Sequence, residues 1–249
     1  MERWQNRVAA VTGASSGIGA ATVKDLLKAN LIVVGLARRL ERMEELKAQL
    51  TAEQQNRFHA VACDVSSQES VDTAFDWIIK ELGGVDILIN NAGTYKNGQA
   101  STMDPVVLQK IVQTNLMGTV YCTQRAFKSM KERNFDGHVV LINSITGHNV
   151  HVIYGSNEPS VLNVYGPSKF AITALTEVLR QEYRGLGTKI KITSVSPGVT
   201  DTEIVPEQYK GDEIKKLKSE DVSSCIMFTL STPPHMQVHE ITVKPLLGE

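Results

Sequence analysis

Tyr165 and Lys169 are four positions apart in the segment VYGPSKFA, a spacing that places both side chains on one face of a helix. A phenol has a pKa near ~10, so it needs help to exchange a proton at neutral pH. A neighbouring ammonium favours the phenolate and lowers that pKa. The pair can therefore serve as a general acid/base that moves a proton on or off an alcohol oxygen. Because this spacing is common by chance, a plain surface helix is the alternative interpretation.

Other polar residues lie where predicted elements end or turn. Ser144 directly follows the apolar run HVVLIN, at the carboxyl end of a predicted strand, where its hydroxyl can hydrogen-bond a substrate oxygen. The motif NNAG, residues 90–93, closes the preceding apolar run. Asn115 falls inside a long unbroken helix predicted from Asp104 to about Arg133, where an asparagine either faces solvent or anchors a water molecule or side chain. Beside the tyrosine–lysine pair, these residues favour a catalytic site.

A glycine-rich segment, TGASSGIG, lies between the first apolar run and the first predicted helix. Glycines at 13, 17 and 19 let the backbone turn sharply and approach a pyrophosphate, and the helix N-terminus presents free N–H groups to its negative charge. The same glycines also suit an ordinary turn. Their place at the start of a strand–helix pattern favours a dinucleotide site.

The residues that end the second apolar run indicate which dinucleotide binds. An NAD site normally has Asp or Glu here, which accepts hydrogen bonds from the ribose 2′-hydroxyl, but this chain has Ala37. Arg38 and Arg39 follow, and a guanidinium suits a 2′-phosphate because it stays charged and binds bidentately. The alternative is that both arginines begin a solvated helix and pair with Glu41 or Glu44. We predict NADP(H), held mainly by Arg38 with Arg39 in support.

Seven short apolar runs alternate with longer segments of helical period along the whole chain. Nearly continuous hydrophobicity is typical of strands covered on both faces, as in parallel sheets. The pattern predicts an α/β fold, a single Rossmann-like, doubly wound parallel sheet of about seven strands with helices on both faces. Since no repeat or linker interrupts it, we expect one catalytic domain over residues 1–249. The runs are RVAAVT (7–12), LIVVGL (31–36), RFHAVA (57–62), VDILIN (85–90), HVVLIN (138–143), KITSVS (191–196) and EITVK (240–244).

Two long connections, residues 145–160 and 199–219, leave the carboxyl ends of the fifth and sixth predicted strands. Open α/β sheets bind ligands at that edge, and loops of this length are often functional lids. The apolar residues near this edge offer no Arg or Lys anchor for a carboxylate or phosphate, which favours an apolar alcohol or ketone as substrate. The predicted substrate contacts are Ser144, Tyr95, Val150, Val152 and Ile204.

Composition excludes several classes of protein. The 249 residues carry a formal net charge of −1, so there is no electrostatic reason to bind nucleic acid or an anionic membrane. Cys63, Cys122 and Cys225 lie far apart, and neither a disulfide framework nor a zinc site is expected. His148 and His151 lack partners at ligand spacing, so no metal is expected. No apolar run approaches the ~20 residues of a membrane span, and we expect a soluble, cytoplasmic protein.

These motifs occur together and in the same order in the short-chain dehydrogenase/reductase family, which the chain resembles over its whole length. The resemblance implies that Tyr165 is the acid/base. Lys169 would lower the pKa of that phenol and hold the nicotinamide ribose. Ser144 would polarise the substrate oxygen, and Asn115 would support a water-linked proton relay behind Lys169. The motifs are TGASSGIG, CDV (63–65), NNAG, Asn115, Ser144, YxxxK and SPGVTDT (196–202).

The resemblance also implies a set of cofactor contacts. Asp64 would hold the adenine, Asn91 would pack against the cofactor, and residues 197–202 would cradle the nicotinamide end. Family members commonly pair two long helices across subunits, so a homodimer or homotetramer is expected. The full predicted set is Gly13, Ser15, Ser16, Gly17, Ile18, Gly19, Arg38, Arg39, Asp64, Val65, Asn91, Ala92, Gly93, Tyr165, Lys169, Pro197, Gly198, Val199, Thr200 and Thr202.

A closer likeness is to the insect farnesol dehydrogenases and the vertebrate dehydrogenase/reductase member eleven group. It implies NADP(H)-dependent interconversion of an apolar alcohol and its aldehyde or ketone, such as farnesol and farnesal or a keto-steroid pair. A broad xenobiotic carbonyl reductase and a non-catalytic, cofactor-sensing protein on the same fold are the alternatives. Ser144 and Tyr165 are 21 positions apart, longer than expected for the family. The likeness is carried by MERW, SMKERN (129–134), KFAITALTEVLRQE (169–182) and LSTPPHMQVHEITVKP (230–245).

Overall fold

Seven strands form one parallel sheet in the computed structural model, which describes residues 1–150, 160–205, 211 and 215–246. The strands are β1 (Val8–Thr12), β2 (Ile32–Ala37), β3 (Phe58–Ala62), β4 (Ile87–Asn90), β5 (His138–Ile142), β6 (Lys191–Pro197) and β7 (Glu240–Val243). Their order in the sheet is β3-β2-β1-β4-β5-β6-β7. The order reverses between β1 and β4, and open sheets of this kind bind ligands at such a reversal. The predicted α/β sheet is confirmed, whereas the extent of the domain stays a prediction.

Eight helices lie in the described part of the chain and cover both faces of the sheet. They are α1 (Gly17–Lys28), α2 (Leu40–Ala48), α3 (Ala52–Arg57), α4 (Gln68–Leu82), α5 (Pro105–Val112), α6 (Gly118–Glu132), α7 (Tyr165–Gly185) and α8 (Ser219–Ser231). Alternate strand residues face opposite sides, so Ala9 and Val11 pack with α1 and α8, while Val8 and Ala10 pack with α4, α6 and α7. None of these helices has both the length and the apolar character that a membrane span requires.

Trp4 closes the core on the α8 side of the sheet. Its ring is 1% exposed, and its indole Nε1–H donates to the carbonyl oxygen of Leu230 at 2.7 Å. A buried indole N–H needs such a partner because an unsatisfied donor is costly inside a protein. The contact joins a residue at the start of the chain to the last turn of α8.

The long helix predicted from Asp104 to about Arg133 is interrupted by a π-helical turn over Gln113–Met117. Asp104 caps the N-terminus of α5 by accepting from the backbone N–H of Val106, with Pro105 at the first helical position. The turn contains Asn115, whose side chain is 2% exposed. Turns of this kind are frequent at functional sites. The predicted helix is therefore helical from Pro105 to Glu132, and the π-helical turn within it was not predicted.

Candidate functional site

A cavity of about 460 Å³ opens at the carboxyl edge of the sheet, over the switch point between β1 and β4. Most of the predicted site residues line it. Gly19, Asn115 and Val150 lie outside the lining, and Val152 lies outside the described residues. The predicted residues in the lining are Gly13, Ser15, Ser16, Gly17, Ile18, Arg38, Arg39, Asp64, Val65, Asn91, Ala92, Gly93, Tyr95, Ser144, Tyr165, Lys169, Pro197, Gly198, Val199, Thr200, Thr202 and Ile204.

The glycine-rich loop forms one end of the cavity. Gly13 has φ +66°, a left-handed conformation that other residues rarely adopt, and a Cβ on Gly19 would collide with the Gly13 carbonyl oxygen. Asn91 fixes the loop from β4, because its Nδ2 donates to the Thr12 carbonyl oxygen at 2.9 Å. The backbone N–H groups of Asn91 and Ala92 both donate to Thr12 Oγ1 at 2.9 Å. Because this loop packs tightly and its glycines carry no side chain, a pyrophosphate could reach the N-terminus of α1.

The two arginines after β2 have different surroundings. Arg39 Nη2 donates to Ser15 Oγ at 3.1 Å and to Ser16 Oγ at 3.2 Å, and its Nη1 lies 3.0 Å from Glu203 Oε2. Arg38 is exposed and lines the cavity near Asp64. Arg39, rather than Arg38, is therefore bonded to the glycine-rich loop. Which of the two arginines would hold the 2′-phosphate stays a prediction, because Arg38 and Arg39 both line the cavity.

Asp64 follows β3 and lies at the end of the cavity where the adenine is predicted. Its Oδ1 accepts hydrogen bonds from the backbone N–H and the hydroxyl of Ser66 at 3.0 and 2.7 Å. Desolvation raises the pKa of Asp64, but the hydrogen bonds from Ser66 and the charges of Arg38 and Lys110 outweigh it, so the pKa is lowered. Asp64 is therefore an ionised, oriented acceptor.

Tyr165 begins α7 and directs its phenol towards the turn that follows β5. The phenol lies close enough to the hydroxyls of Ser144 and Thr146 to interact with them, and those two oxygens are 2.6 Å apart. Burial raises the pKa of Tyr165, and the neighbouring hydroxyls of Ser144 and Thr146 oppose that rise without reversing it. The three hydroxyls form one cluster, and Tyr165 is a neutral phenol at physiological pH.

Lys169 lies one helical turn after Tyr165, and its Nζ is 5.8 Å from the centroid of the phenol ring. The ammonium donates to the carbonyl oxygen of Ile142 at 2.9 Å. Burial lowers the pKa of Lys169 to about 8. The predicted lowering of the Tyr165 pKa is not found in this structure, because burial is the largest influence on both groups.

Asn115 connects two elements of the site without lining the cavity. Its Oδ1 accepts from the Thr94 backbone N–H at 2.8 Å, and its Nδ2 donates to the Thr94 carbonyl oxygen at 3.0 Å and to Ser168 Oγ at 3.2 Å. Ser168 directly precedes Lys169 on α7. Asn115 therefore holds the chain beyond β4 against the helix that carries Tyr165 and Lys169.

Comparison with known proteins identifies the family. The sequence profile of the short-chain dehydrogenases matches residues 7–213. The chain belongs to this family.

Individual relatives cover nearly the full length of this short-chain dehydrogenase. It is 49% identical over 247 residues to a farnesol dehydrogenase of Aedes aegypti, covering 99% of this chain and 98% of that protein. It is 40% identical over 256 residues to the human dehydrogenase/reductase SDR family member 11, covering 98% and 96%. A serine dehydrogenase structure in complex with NADP⁺ superimposes with a TM-score of 0.82 at 26% identity, covering 95% and 94%. The predicted resemblance is confirmed, and the protein is an oxidoreductase of the short-chain dehydrogenase type.

Asn163 is a site residue that the sequence analysis missed. It adopts φ 39°, and its Nδ2 donates to the carbonyl oxygens of Lys96 and Gly98 at 2.6 and 3.2 Å. Its Oδ1 accepts from the backbone N–H of Tyr165 at 3.2 Å, so it caps α7. The ring of Tyr95 packs edge-on against Tyr165, with centroids 5.4 Å apart. An asparagine two positions before a helix start is the signal that predicts this cap.

His148 ties the beginning of the long connection after β5 to the last strands of the sheet. Its Nε2 lies 2.6 Å from Glu240 Oε1 and 3.1 Å from Ser196 Oγ. No cluster of His, Cys, Asp and Glu suited to a metal ion is found in the described ranges, and His151 lies outside them. His148 thus links the turn after β5 to β6 and β7.

Proposed function

We propose that this short-chain dehydrogenase interconverts an apolar alcohol and its aldehyde or ketone with NADP(H) as cofactor. The observation that carries the proposal is the hydroxyl cluster of Tyr165, Ser144 and Thr146 in the same cavity as a glycine-rich loop and two arginines. A group that can exchange a proton and the residues that would hold a dinucleotide thus line one cavity.

The residues of the cradle fit NADP(H). The narrow approach of Gly19 to Gly13 leaves the backbone free to meet a pyrophosphate, and Asp64 offers an acceptor near the adenine end. The hydroxyls of Ser15 and Ser16, with the guanidinium of Arg39, form a donor set that suits a 2′-phosphate. Position 37, where an NAD site normally has Asp or Glu, is Ala37. No carboxylate at this position would therefore accept hydrogen bonds from a free 2′-hydroxyl.

The chain's own residues would handle the proton of the substrate oxygen. When bound, NADP(H) supplies or accepts the hydride. Ser144 would donate a hydrogen bond to the substrate oxygen, and neutral Tyr165 would give that oxygen a proton during carbonyl reduction. In the reverse direction the phenolate form of Tyr165 would take the proton from the alcohol and become the neutral phenol again. Lys169 would place its positive charge beside the phenol and favour the phenolate that remains.

The substrate end of the cavity is apolar. Ile204, Val205 and Leu162 line it together with the Tyr95 ring. Lys110, which also lines the cavity, is a charged neighbour of Asp64, in the adenine region. Burial of a hydrocarbon chain here is favourable at about 25 cal/mol per Å². Farnesol is the first candidate because of the name that the mosquito relative bears, and keto-steroids are the second.

The test is turnover of farnesol with NADP⁺ or NAD⁺, followed by the absorbance of the reduced cofactor. We expect a clear preference for NADP⁺. Tyr165→Phe should lower turnover by at least about a hundredfold while cofactor binding by calorimetry is retained. Tyr121→Phe, which removes a phenol on α6, is the matched control and should keep full turnover. Unchanged turnover in Tyr165→Phe would contradict the mechanism. If the protein binds cofactor but does not turn over farnesol, farnesol is not the substrate, and keto-steroids and xenobiotic carbonyls are assayed next.

Three broader features belong to the same proposal. The 249 residues act as one catalytic domain, the protein works in the cytoplasm, and it assembles as a homodimer or homotetramer. Support for assembly comes from Phe170 and Val178 on α7, which are 41% and 57% exposed. Light scattering on the purified protein tests this assembly, and a monomeric mass at micromolar concentration would contradict it.

A further inference from the structure

Glu203 lies in the segment 198–205 after β6, most of whose residues line the cavity. The base of this segment is fixed, because Asp201 N–H donates to the Leu217 carbonyl oxygen at 2.8 Å and Leu217 N–H donates to Val199 at 2.9 Å. The neighbouring Thr202 packs against the glycine-rich loop, with its Cγ2 3.0 Å from the position of a Cβ on Gly17. Glu203 is therefore held close to that loop although it lies far from it in the sequence.

The carboxylate of Glu203 contacts the donors that suit a 2′-phosphate. Its Oε2 accepts from Arg39 Nη1 at 3.0 Å and from Ser16 Oγ at 3.4 Å. Its Oε1 forms a short ion pair with Arg42. Arg39 also donates to Ser15 and Ser16 of the glycine-rich loop. The Arg39 guanidinium therefore contacts both this loop and the Glu203 carboxylate, and the Ser16 hydroxyl contacts both Arg39 and Glu203. A carboxylate here stands where a phosphate oxygen would find identical partners.

The positive charges of Arg39 and Arg42 favour an anionic group at the position of the Glu203 carboxylate. Partial desolvation raises the pKa of Glu203, but hydrogen bonds from Arg42 and Arg39 and the charges of both guanidiniums outweigh it, so the pKa is lowered and the carboxylate is ionised. A phosphate dianion at Arg39 would lie beside this carboxylate, and two like charges at such a distance repel each other. The two anions therefore compete for Arg39.

We propose that Glu203 is an internal competitor for the 2′-phosphate of NADP(H) and thereby sets how strongly the protein distinguishes NADP(H) from NAD(H). The inference rests on the proposed cofactor. In the free protein Glu203 occupies Arg39 and Ser16, and phosphate binding displaces it. Because NAD(H) carries a 2′-hydroxyl in place of that phosphate, its binding leaves the carboxylate where it is. Glu203 is thus a specificity-determining residue that weakens the binding of the phosphorylated cofactor.

The test is a binding measurement that needs no turnover. Isothermal titration calorimetry would compare NADP⁺ with NAD⁺, and adenosine 2′,5′-bisphosphate with adenosine 5′-monophosphate, on the whole chain. We expect Glu203→Gln to tighten the binding of both 2′-phosphorylated compounds by about 2- to 5-fold, the size expected for exposed ion pairs. NAD⁺ and the monophosphate should change by less than about twofold. Glu45→Gln, at an exposed carboxylate on α2, is the matched control and should change nothing.

A double variant separates competition from other effects of the substitution. In an Arg39→Ala background, Glu203→Gln should no longer tighten the binding of the 2′-phosphorylated compounds, because the shared cation is gone. If the wild-type protein prefers NADP⁺ but Glu203→Gln leaves or weakens that preference, the competition is refuted and the cofactor proposal stands. If neither protein distinguishes NADP⁺ from NAD⁺, the cofactor proposal itself fails.

Discussion

His138, the first residue of β5, is a buried imidazole that should make folding sensitive to acid. The residue is 1% exposed, and its Nε2 lies 2.9 Å from Thr193 Oγ1. Its Nδ1 has no hydrogen-bond partner among the described residues. Burial, and then the positive charges of Lys191 and Arg3, lower the pKa of His138 to about 3. A proton on this ring would be both desolvated and repelled.

The sign and the size of the effect follow from the two pKa values. Below pH 6.5 the imidazole of the unfolded chain takes up a proton that the folded chain does not accept. Stability is therefore lost as the pH falls from ~6.5 towards ~3, by about 1.4 kcal/mol for each pH unit. At pH 5 the loss through this residue is about 2 kcal/mol. Above ~6.5 both states are neutral, and His138 contributes no pH dependence.

Urea denaturation at pH 7 and pH 5 measures this loss. The wild-type protein and His138→Gln are compared at equal protein concentration, because Gln is of similar size and cannot take up the proton. We expect the change in the free energy of unfolding between the two pH values to be about 2 kcal/mol smaller in the variant. His235→Gln, at an exposed histidine, is the control and should follow the wild type. An equal loss in wild type and His138→Gln would refute the reasoning.

Three further predictions concern the cofactor and the helix of Tyr165. Arg38→Ala should weaken the binding of NADPH much more than that of NADH in calorimetry; equal losses would show that Arg38 does not touch the 2′-phosphate. Gly19→Ala should weaken the binding of both cofactors by more than about tenfold with circular dichroism unchanged, because its Cβ would displace Gly13. Retained affinity would contradict the close packing of Gly19 against Gly13. Asn163→Ala should lower kcat by about tenfold and leave the KM for cofactor unchanged, since Tyr165 loses its cap; a loss in KM alone would contradict this positioning role.

The strands and the tyrosine–lysine pair could be predicted because they depend on local periodicity. The run LIVVGL at 31–36 became β2, Ile32–Ala37, shifted by one residue. The four-residue spacing of Tyr165 and Lys169 placed both side chains in the same cavity. The periodicity of strands and helices determines which side chains share a face, and it does not depend on distant parts of the chain.

The ion pair between Arg39 and Glu203 could not be predicted, because it joins residues 164 positions apart through flexible side chains. The π-helical turn around Asn115 depends in the same way on the backbone of Thr94, which belongs to another element. The short helix α3 was missed although Thr51 and Gln54 form a capping box, a pattern that the sequence displays. The ion pair and the turn around Asn115 depend on tertiary contacts, whereas α3 could have been predicted from the local sequence.

The hydrogen bond from Trp4 to Leu230 has a consequence for how the chain folds during synthesis. The two residues are 226 positions apart. At ~5–20 residues per second, a ribosome needs roughly 10–45 s to make the chain between them. Throughout that interval the emerging chain lacks α8, so the indole has neither its acceptor at Leu230 nor the part of its cover that α8 supplies. The nascent chain therefore exposes part of this apolar surface until α8 leaves the exit tunnel, and chaperones that bind such surfaces have that interval in which to act.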